Sequence, residues 1–349
     1  MEVELGQIPF GIDFHPSRNL VAAALITGEV NLYHYSEDGE SSPTRLLNIK
    51  AHSESCRAAR FVDSGETIIT SSSDRSIVAT NVETGSSLAR LDNAHNDAIF
   101  SLINIDASTI ASGDDQGCIK VWDIRQRSCC NTFNAHEDYV SDMAYASSSM
   151  KLLSTSGDGT LSVCNLQSSK VQTRSEFSEE ELLSVVIMKN RKKVVCGTQN
   201  GTLMLYSWGF FKDCSDRFIG LAPNSIDTLV KLDEDRLIAG TENGVISLIS
   251  ILPNQVIQPL AEHSEYPIER LGLSYDKKFL GSISHDQTLK IWDLEQLVTE
   301  SSNPNHLKSD DENEDMEVDA NPPNSKKEAR KASSTAIRGG KDPNFFADL

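Results

Sequence analysis

The stretch Ile110–Arg125, IASGDDQGCIKVWDIR, places two short apolar runs around a turn-forming centre. The first run, Thr109 to Gly113, is rich in small residues, and the second ends in Trp122-Asp123. Between them, the sequence DQG supplies residue types that tight turns favour. The stretch therefore predicts a β-hairpin, and His95 precedes it in the segment NAHNDAIFSL.

The same pattern recurs along most of the chain. The positions equivalent to Trp122 are Tyr33, Thr80, Trp122, Cys164, Tyr206, Ile249 and Trp292, at intervals of 47, 42, 42, 42, 43 and 43 residues. Six residues before each lies a turn residue, namely Thr27, Asp74, Gln116, Asp158, Asn200, Asn243 and Asp286. Seven units in one register, at the period of roughly 40–45 residues typical of WD repeats, predict an all-β, seven-bladed WD-repeat β-propeller. We expect this domain to span residues 1–297.

The first and last units predict how the ring closes. Pro9 to Phe14 has the pattern of an inner strand, which leaves the segment MEVEL before it, while the last unit shows only three strands. We therefore predict that the N-terminal segment completes the last blade as its outer strand. Closure by hydrogen bonding would remove the loose joint between the first and last blades.

Composition favours protein partners over nucleic acid or membrane. The formal net charge is −19, so the surface repels phosphate and no direct DNA binding is expected. The chain has no apolar run of about 18 residues or more and no secretory pattern at its N-terminus, so no membrane association is expected. Seven scattered cysteines without a CxxC pair predict a reducing compartment, with neither a disulfide framework nor a zinc site.

The composition changes at residue 298. Residues 309–319 (SDDENEDMEVD) are acidic, and a basic segment with Lys326, Lys327, Arg330 and Lys331 follows. Because so polar a segment cannot offset the entropy lost on ordering, we predict a disordered acidic and basic tail over residues 298–349. The four basic residues are a candidate nuclear import signal, and the alternative is a solvated charge run.

Four histidines, His52, His95, His136 and His263, recur 27–29 residues before the reference position. In WD repeats such a histidine joins a hydrogen-bonded network that fastens the blade. Blade seven offers the full set His263, Ser282, Asp286 and Trp292, whereas blade three offers His95, Ser112 and Trp122 but has Gln116 at the aspartate position. Repetition in four blades indicates a structural role, because catalysis would need a nucleophile or metal partner at one shared mouth.

No phosphate loop, HExxH or GxSxG motif is present, so we expect no enzyme activity, cofactor or metal.

The sequence WDIR that ends the central stretch carries a sharper signal. Among WD-repeat proteins, WDxR resembles the box by which substrate receptors dock on the damaged-DNA-binding adaptor of cullin-4 ubiquitin ligases. The match is partial, because Asp114 stands where a small residue is expected and Gln116 replaces the turn aspartate. Trp122, Asp123 and Arg125 are thus candidate adaptor-docking residues, with the Arg125 guanidinium projecting from the wider rim. The alternative is an ordinary exposed arginine after a strand.

Three longer stretches point to one family. They are the opening FGIDFHPSRNLVAAALITGEVNLY, the segment LGSISHDQTLKIWDL, and the acidic-then-basic tail that ends in FFADL. Together they resemble the WD-repeat protein 55 family over essentially all residues. The resemblance implies a nuclear, often nucleolar, propeller associated with ribosomal RNA production and ribosome biogenesis. Plant-like members also look like cullin-4 receptors that act in reproductive and embryonic development.

The expected function is a non-catalytic protein-interaction scaffold in the nucleus, including the nucleolus, and also in the cytoplasm. In the first hypothesis it is a substrate receptor that docks on the cullin-4 adaptor through the rim around Arg125 and presents an unidentified substrate protein with its opposite face. The alternative is a nucleolar ribosome-biogenesis or rRNA-processing factor that binds pre-ribosomal proteins or RNA without a ligase role.

Overall fold

The structure, a computed structural model, describes residues 1–37 and 41–300, which form almost only β-strands. The first strands are β1 (Glu2–Glu4), β2 (Pro9–Phe14), β3 (Leu20–Leu25), β4 (Glu29–His34), β5 (Thr44–Lys50), β6 (Cys56–Val62), β7 (Thr67–Ser72), β8 (Ile77–Asn81) and β9 (Ser87–Leu91). The middle strands are β10 (Ile99–Asn104), β11 (Thr109–Asp114), β12 (Cys118–Asp123), β13 (Ser128–Asn134), β14 (Val140–Ala146), β15 (Lys151–Ser156), β16 (Leu161–Asn165) and β17 (Lys170–Arg174). The next are β18 (Leu182–Met188), β19 (Lys193–Thr198), β20 (Leu203–Ser207), β21 (Asp216–Phe218), β22 (Ile226–Lys231), β23 (Arg236–Thr241), β24 (Val245–Ser250) and β25 (Gln255–Glu262). The last are β26 (Ile268–Leu273), β27 (Phe279–Ser284) and β28 (Thr288–Asp293), followed by the helix α1 (Leu294–Glu300).

These strands form seven four-stranded antiparallel sheets within the described residues, which confirms the predicted seven-bladed propeller. Consecutive groups of four strands from β2 onward give blades one to six, and β26 to β28 belong to blade seven. The predicted reference positions are structurally equivalent: Trp122 pairs with Ile110 as Trp292 pairs with Leu280, each on the third strand of its blade. The repeat spacing therefore gave the correct register.

The core of the ring lies between the blades. Seven clusters of buried apolar side chains each join two neighbouring blades, and together they cover all seven interfaces, including the one between blades seven and one. At a typical interface, Ile69 of blade two packs with Ile110 and Trp122 of blade three. Each sheet therefore buries both of its faces, which explains the apolar residues on successive positions of its inner and middle strands.

The predicted closure is confirmed. Strand β1 is the outer strand of blade seven, with Val3 opposite Leu289 and Glu4 opposite Thr288. The Met1 ammonium donates to the Ile291 carbonyl at 2.8 Å, and Leu5 is buried in the cluster shared by blades seven and one. Because the chain continues from β1 into blade one, this strand joins the first and last blades covalently as well as by hydrogen bonds.

Antiparallel pairing gives the ring two faces with different loops. The turns between the second and third strands, and the loops that enter each inner strand, lie on what we call the front face. The loops between the first and second strands, and between the third and fourth, lie on the opposite back face. On the front face, Gly117 and Gly159 have φ values of +78° and +71°, which a turn glycine adopts without strain.

Three further expectations from the sequence can be compared with the described residues. Helix α1 includes residues 298–300, the first three of the predicted tail, and the rest of that tail lies outside the described residues. No helix in the described part of the chain is long and apolar enough to cross a membrane. All seven cysteines are free, and Cys56, Cys164 and Cys196 are buried among apolar neighbours.

Deletion of residues 1–7 should lower the melting temperature by about 5 °C or more, because it removes an entire strand of hydrogen bonds and the buried Leu5. Differential scanning calorimetry measures the shift. Glu2→Gln is the control, since it removes only a long contact of 3.9 Å with Lys290 and should leave the melting temperature unchanged. An unchanged melting temperature after the deletion would mean that the strand does not secure the ring.

Candidate functional site

The histidine network of blade seven lies under the front face. The two ring nitrogens of His263 lie 2.8 Å from Asp286 Oδ2 and 2.7 Å from Ser282 Oγ, and Trp292 Nε1 donates to the same Oγ at 2.8 Å. Since the ionised Asp286 carboxylate can only accept, Nδ1 carries the single proton of the neutral His263 ring and donates it to Asp286. His263 Nε2 is then an acceptor, and the Ser282 hydroxyl donates to it while accepting from Trp292. The chain of hydrogen bonds thus runs from Trp292 on the third strand, through Ser282 and His263, to the carboxylate of Asp286 in the turn.

Blade three contains the same network, but with a carboxylate that sequence analysis did not assign to it. Ser112 Oγ accepts from Trp122 Nε1 at 2.8 Å and contacts His95 Nε2 at 2.7 Å. Gln116 occupies the usual aspartate position, and the carboxylate comes instead from Asp114, whose Oδ2 lies 2.7 Å from His95 Nδ1. Asp114 Oδ1 also accepts from the amides of Gln116 and Cys118. Compared with the other blades, the carboxylate of blade three therefore lies two residues earlier in the sequence. It is at the end of β11 and not in the turn.

Blades two, four and seven add a hydroxyl that sequence analysis missed. It belongs to the residue two positions after the turn aspartate: Ser76, Thr160 and Thr288, whose oxygens lie 2.9, 3.0 and 3.2 Å from the Nδ1 atoms of His52, His136 and His263. In blade three this position is Cys118. The pattern Asp-x-Ser/Thr in the other three blades was the available signal. Blade three lacks this pattern, and it is also the blade in which Asp114 supplies the carboxylate.

Electrostatics indicate that these networks stabilise the fold. Burial lowers the pKa of His52 to about 4, although the Asp74 carboxylate opposes the shift. Burial raises the pKa of Asp114, but hydrogen bonds from His95 and from backbone amides outweigh it and hold that pKa below its usual range. A neutral imidazole between a hydroxyl and a carboxylate is a satisfied buried group.

His95, Asp114 and Cys118 also place a nitrogen, a carboxylate oxygen and a sulfur within 4.8 Å of one another. Both histidine nitrogens are already occupied, one by Ser112 and one by Asp114. Burial raises the pKa of Cys118 to about 11, so that it is a thiol at neutral pH and a poor metal ligand. The hydrogen-bonded network accounts for this group without an ion.

The WDIR segment lies at the back face, and its three candidate residues differ in exposure. Trp122 is 7 % exposed and packs between blades two and three. Asp123 is half-buried, and its Oδ1 accepts from the Gln126 amide at 2.9 Å, which holds the loop between β12 and β13. Arg125 is exposed, and its guanidinium makes no hydrogen bond or ion pair with the described residues. Of the three residues, Arg125 is the one that a partner can reach directly.

A cavity of about 110 Å³ lies beside this segment, between blades two and three. Its walls are mainly apolar, with Leu91 of blade two facing Trp122 and Ile124 of blade three, while Asp123 and Arg127 stand at the wall on the loop side. An apolar cavity bordered by charged side chains is typical of protein contact sites. The candidate nuclear import residues Lys326, Lys327, Arg330 and Lys331 lie outside the described residues.

Comparison with known proteins agrees with this architecture. A family model described as WDR55 matches residues 1–297. The chain belongs to the WDR55 family. It is 66% identical over 305 residues to WD repeat-containing protein 55 of Arabidopsis thaliana, which covers 87% of this chain and 85% of the relative.

More distant relatives extend the WDR55 comparison to animals and fungi. WD repeat-containing protein 55 of Homo sapiens is 40% identical over 288 residues, with 82% of this chain and 74% of the relative covered. WD repeat-containing protein JIP5 of Cryptococcus neoformans is 34% identical over 305 residues, with 84% and 81% covered. The chain is a WD-repeat propeller scaffold of the WDR55 family, and such propellers are typically non-catalytic platforms for protein binding.

Asp114→Ala should lower the free energy of unfolding by about 2–4 kcal/mol, because it leaves buried His95 and two backbone amides without their acceptor. Gln116→Ala is the matched control in the same turn and should change stability by less than about 0.5 kcal/mol, since Gln116 is exposed. Urea denaturation of both variants measures the difference. Equal effects would contradict the assignment of Asp114 to the network.

Acid should destabilise the propeller through His52. The unfolded histidine titrates near pH ~6.5, whereas burial lowers the folded pKa to about 4, so the unfolded chain binds more protons between these values. Stability therefore falls as pH drops through this window, and His52 alone should remove roughly 2 kcal/mol between about pH 7.5 and about pH 5. Urea unfolding across this range measures the slope. His52→Asn should make it shallower, and an unaltered slope would refute the assignment.

Proposed function

We propose that this protein is a substrate receptor that docks, through the back face around Arg125, on the damaged-DNA-binding adaptor of a cullin-4 ubiquitin ligase. The observation that carries the proposal is the exposed, unpaired Arg125 guanidinium, which follows Ile124, a residue that lines the apolar cavity between blades two and three. Resemblance of the WDIR segment to the receptor box names the adaptor as the partner. The function requires no chemistry from the propeller itself.

The surroundings of Arg125 suit a docking anchor. The hydrogen bond from Trp122 to Ser112 and the turn closed by Asp123 hold the loop in place before binding, so little conformational entropy remains to be lost. A planar guanidinium can bridge two carbonyl or carboxylate oxygens of a partner, and arginine is enriched among the residues that dominate binding energy. The cavity beside it would take an apolar side chain of the same partner.

The second proposed function is ribosome assembly, and the net charge of the chain bears on which partners it would bind. With a net charge of −19, the protein repels RNA and attracts basic proteins, which favours pre-ribosomal proteins over RNA as partners in that role. We propose a nuclear location for both functions, and the nucleolus for the second. The front face, opposite Arg125, would present the bound protein in either case.

Arg125→Ala should weaken adaptor binding by about thirtyfold, or ~2 kcal/mol, which is the loss expected for an anchor arginine. Co-purification of the adaptor with the full-length protein and surface plasmon resonance measure the effect. Arg217→Ala is the matched control, since Arg217 is an exposed arginine on the outer strand of blade five. Both variants should melt as the wild type does.

The outcome separates the two functions. Adaptor binding that survives Arg125→Ala would make the WDIR segment an ordinary strand end and refute the docking proposal. Pre-ribosomal RNA intermediates after depletion of the protein test the second function. If the Arg125→Ala variant restores the normal pattern of pre-ribosomal RNA in depleted cells, ribosome assembly uses a surface other than this rim.

A further inference from the structure

The seven inner strands share an irregularity that creates a ring of side chains around the axis. In every blade the pairing between the first and second strands skips one residue near the front face, which is a β-bulge. The skipped residues are Phe10, Arg57, Phe100, Ser141, Leu183, Asp227 and Glu269. A bulge redirects its side chain, and all seven line two cavities of the axial channel. We call these residues the axial ring.

The axial ring has two unlike halves. On blades one to three, Arg57 stacks on Phe10, with its guanidinium carbon 4.2 Å from the ring centroid, and lies 5.6 Å from the centroid of Phe100. Arg57 Nε also donates to the hydroxyls of Ser55 and Ser73, so this cation is well satisfied. On blades six and seven the ring supplies the carboxylates of Asp227 and Glu269. The two halves therefore differ in charge across the axis.

A cavity of about 170 Å³ lies on the acidic side of the ring, where Asp227 and Glu269 face Phe100 and Tyr139. At ~30 Å³ per water this space equals roughly five or six waters, the scale of one long side chain. The rings of Phe100 and Tyr139 are 5.1 Å apart and form an aromatic wall. The Tyr139 hydroxyl donates to Glu181 at 2.8 Å, which fixes that wall beside a further carboxylate.

Arg270, which lines this cavity, and His285 each pair with a carboxylate. Arg270 pairs with Asp142 at 3.4 Å and donates to the Ser141 carbonyl at 2.9 Å. His285 pairs with Glu269 at 3.0 Å. Among the described residues, no cationic group lies within ion-pair distance of Asp227, whose hydrogen-bond donor is the Ser225 hydroxyl at 2.7 Å. Asp227 is thus a half-buried carboxylate that forms no ion pair, and the positive charge of Arg270 acts on it only from beyond ion-pair distance.

Two further observations concern polar groups that line these cavities. Burial, together with the charges of Glu269 and Glu242, raises the pKa of Asp227 to about 6 despite the hydrogen bond from Ser225, so its ionised form is held at a cost. In the smaller cavity, which shares Phe100 and Arg270 with the first, the Ser101 side chain is 4 % exposed and its hydroxyl has no partner among the described residues. A buried hydroxyl of this kind is satisfied when a ligand donor or water reaches it.

We propose that this axial pocket on the front face binds an arginine side chain from a basic segment of a partner protein. The guanidinium would lie against the aromatic wall of Phe100 and Tyr139 and donate to Asp227 and Glu269. Two carboxylates beside an aromatic face match the planar, five-donor fork of arginine better than the compact ammonium of lysine. The inference concerns the face opposite Arg125, and it holds whether or not that rim docks on the ligase adaptor.

The probe for this pocket is Nα-acetyl-arginine N-methylamide, with the citrulline analogue as its uncharged isostere. Saturation-transfer NMR with the full-length protein should show saturable binding of the arginine compound and at least about tenfold weaker binding of the citrulline compound. Asp227→Asn and Glu269→Gln should each weaken arginine binding by about tenfold. Glu54→Gln is the control, since Glu54 is an exposed carboxylate of the same face that lines neither cavity.

A stability measurement separates loss of binding from loss of fold. Asp227→Asn should raise the melting temperature at neutral pH by about 2 °C or more, because it removes a buried carboxylate whose ionised form the fold disfavours. A variant that melts higher and binds arginine more weakly supports the proposal. Equal binding of the arginine and citrulline compounds, or wild-type affinity in Asp227→Asn, would overturn it.

Discussion

The structure depends on the fact that every sheet of the ring buries both faces against its neighbours. A single blade cannot bury its own apolar residues, so the interface between blades seven and one must be packed as closely as the other six. The chain meets this requirement by placing β1 in blade seven and continuing directly into β2 of blade one. Leu5 lies in the cluster shared by the two blades, so hydrogen bonding and apolar burial act at the same joint.

A closed ring also explains how much of the fold could be predicted from sequence. Each blade repeats one pattern, so the spacing of Trp122 and Trp292 carries long-range information that a single strand lacks. The predicted set of network residues was incomplete where one blade departs from the repeat. Gln116 occupies the aspartate position, and an equivalent network required a carboxylate two residues earlier, at Asp114. Sequence position alone does not show that a side chain at the end of β11 reaches the same histidine nitrogen.

The axial ring was outside the reach of sequence reasoning for a different reason. Period-two alternation assigns each strand residue to one face of a sheet, and a bulge interrupts that alternation without a characteristic residue type. Asp227 and Glu269 therefore looked like ordinary polar residues at the start of a strand. The register of the second strand, which pairs past them, turns them towards the axis. The exposure of Arg125, in contrast, followed from its place just after the third strand.

The buried polar groups of this propeller fall into two kinds, and the difference separates structure from function. The His95 and His263 networks satisfy every ring nitrogen, and their aspartates have lowered pKa values, so each network stabilises its blade. Asp227 lines the axial cavity, forms no ion pair with the described residues and has a raised pKa, so its ionised form costs stability. Proteins tolerate such a group where a ligand supplies what the fold omits. By this criterion the axial pocket is a binding site, whereas the histidine networks stabilise the individual blades.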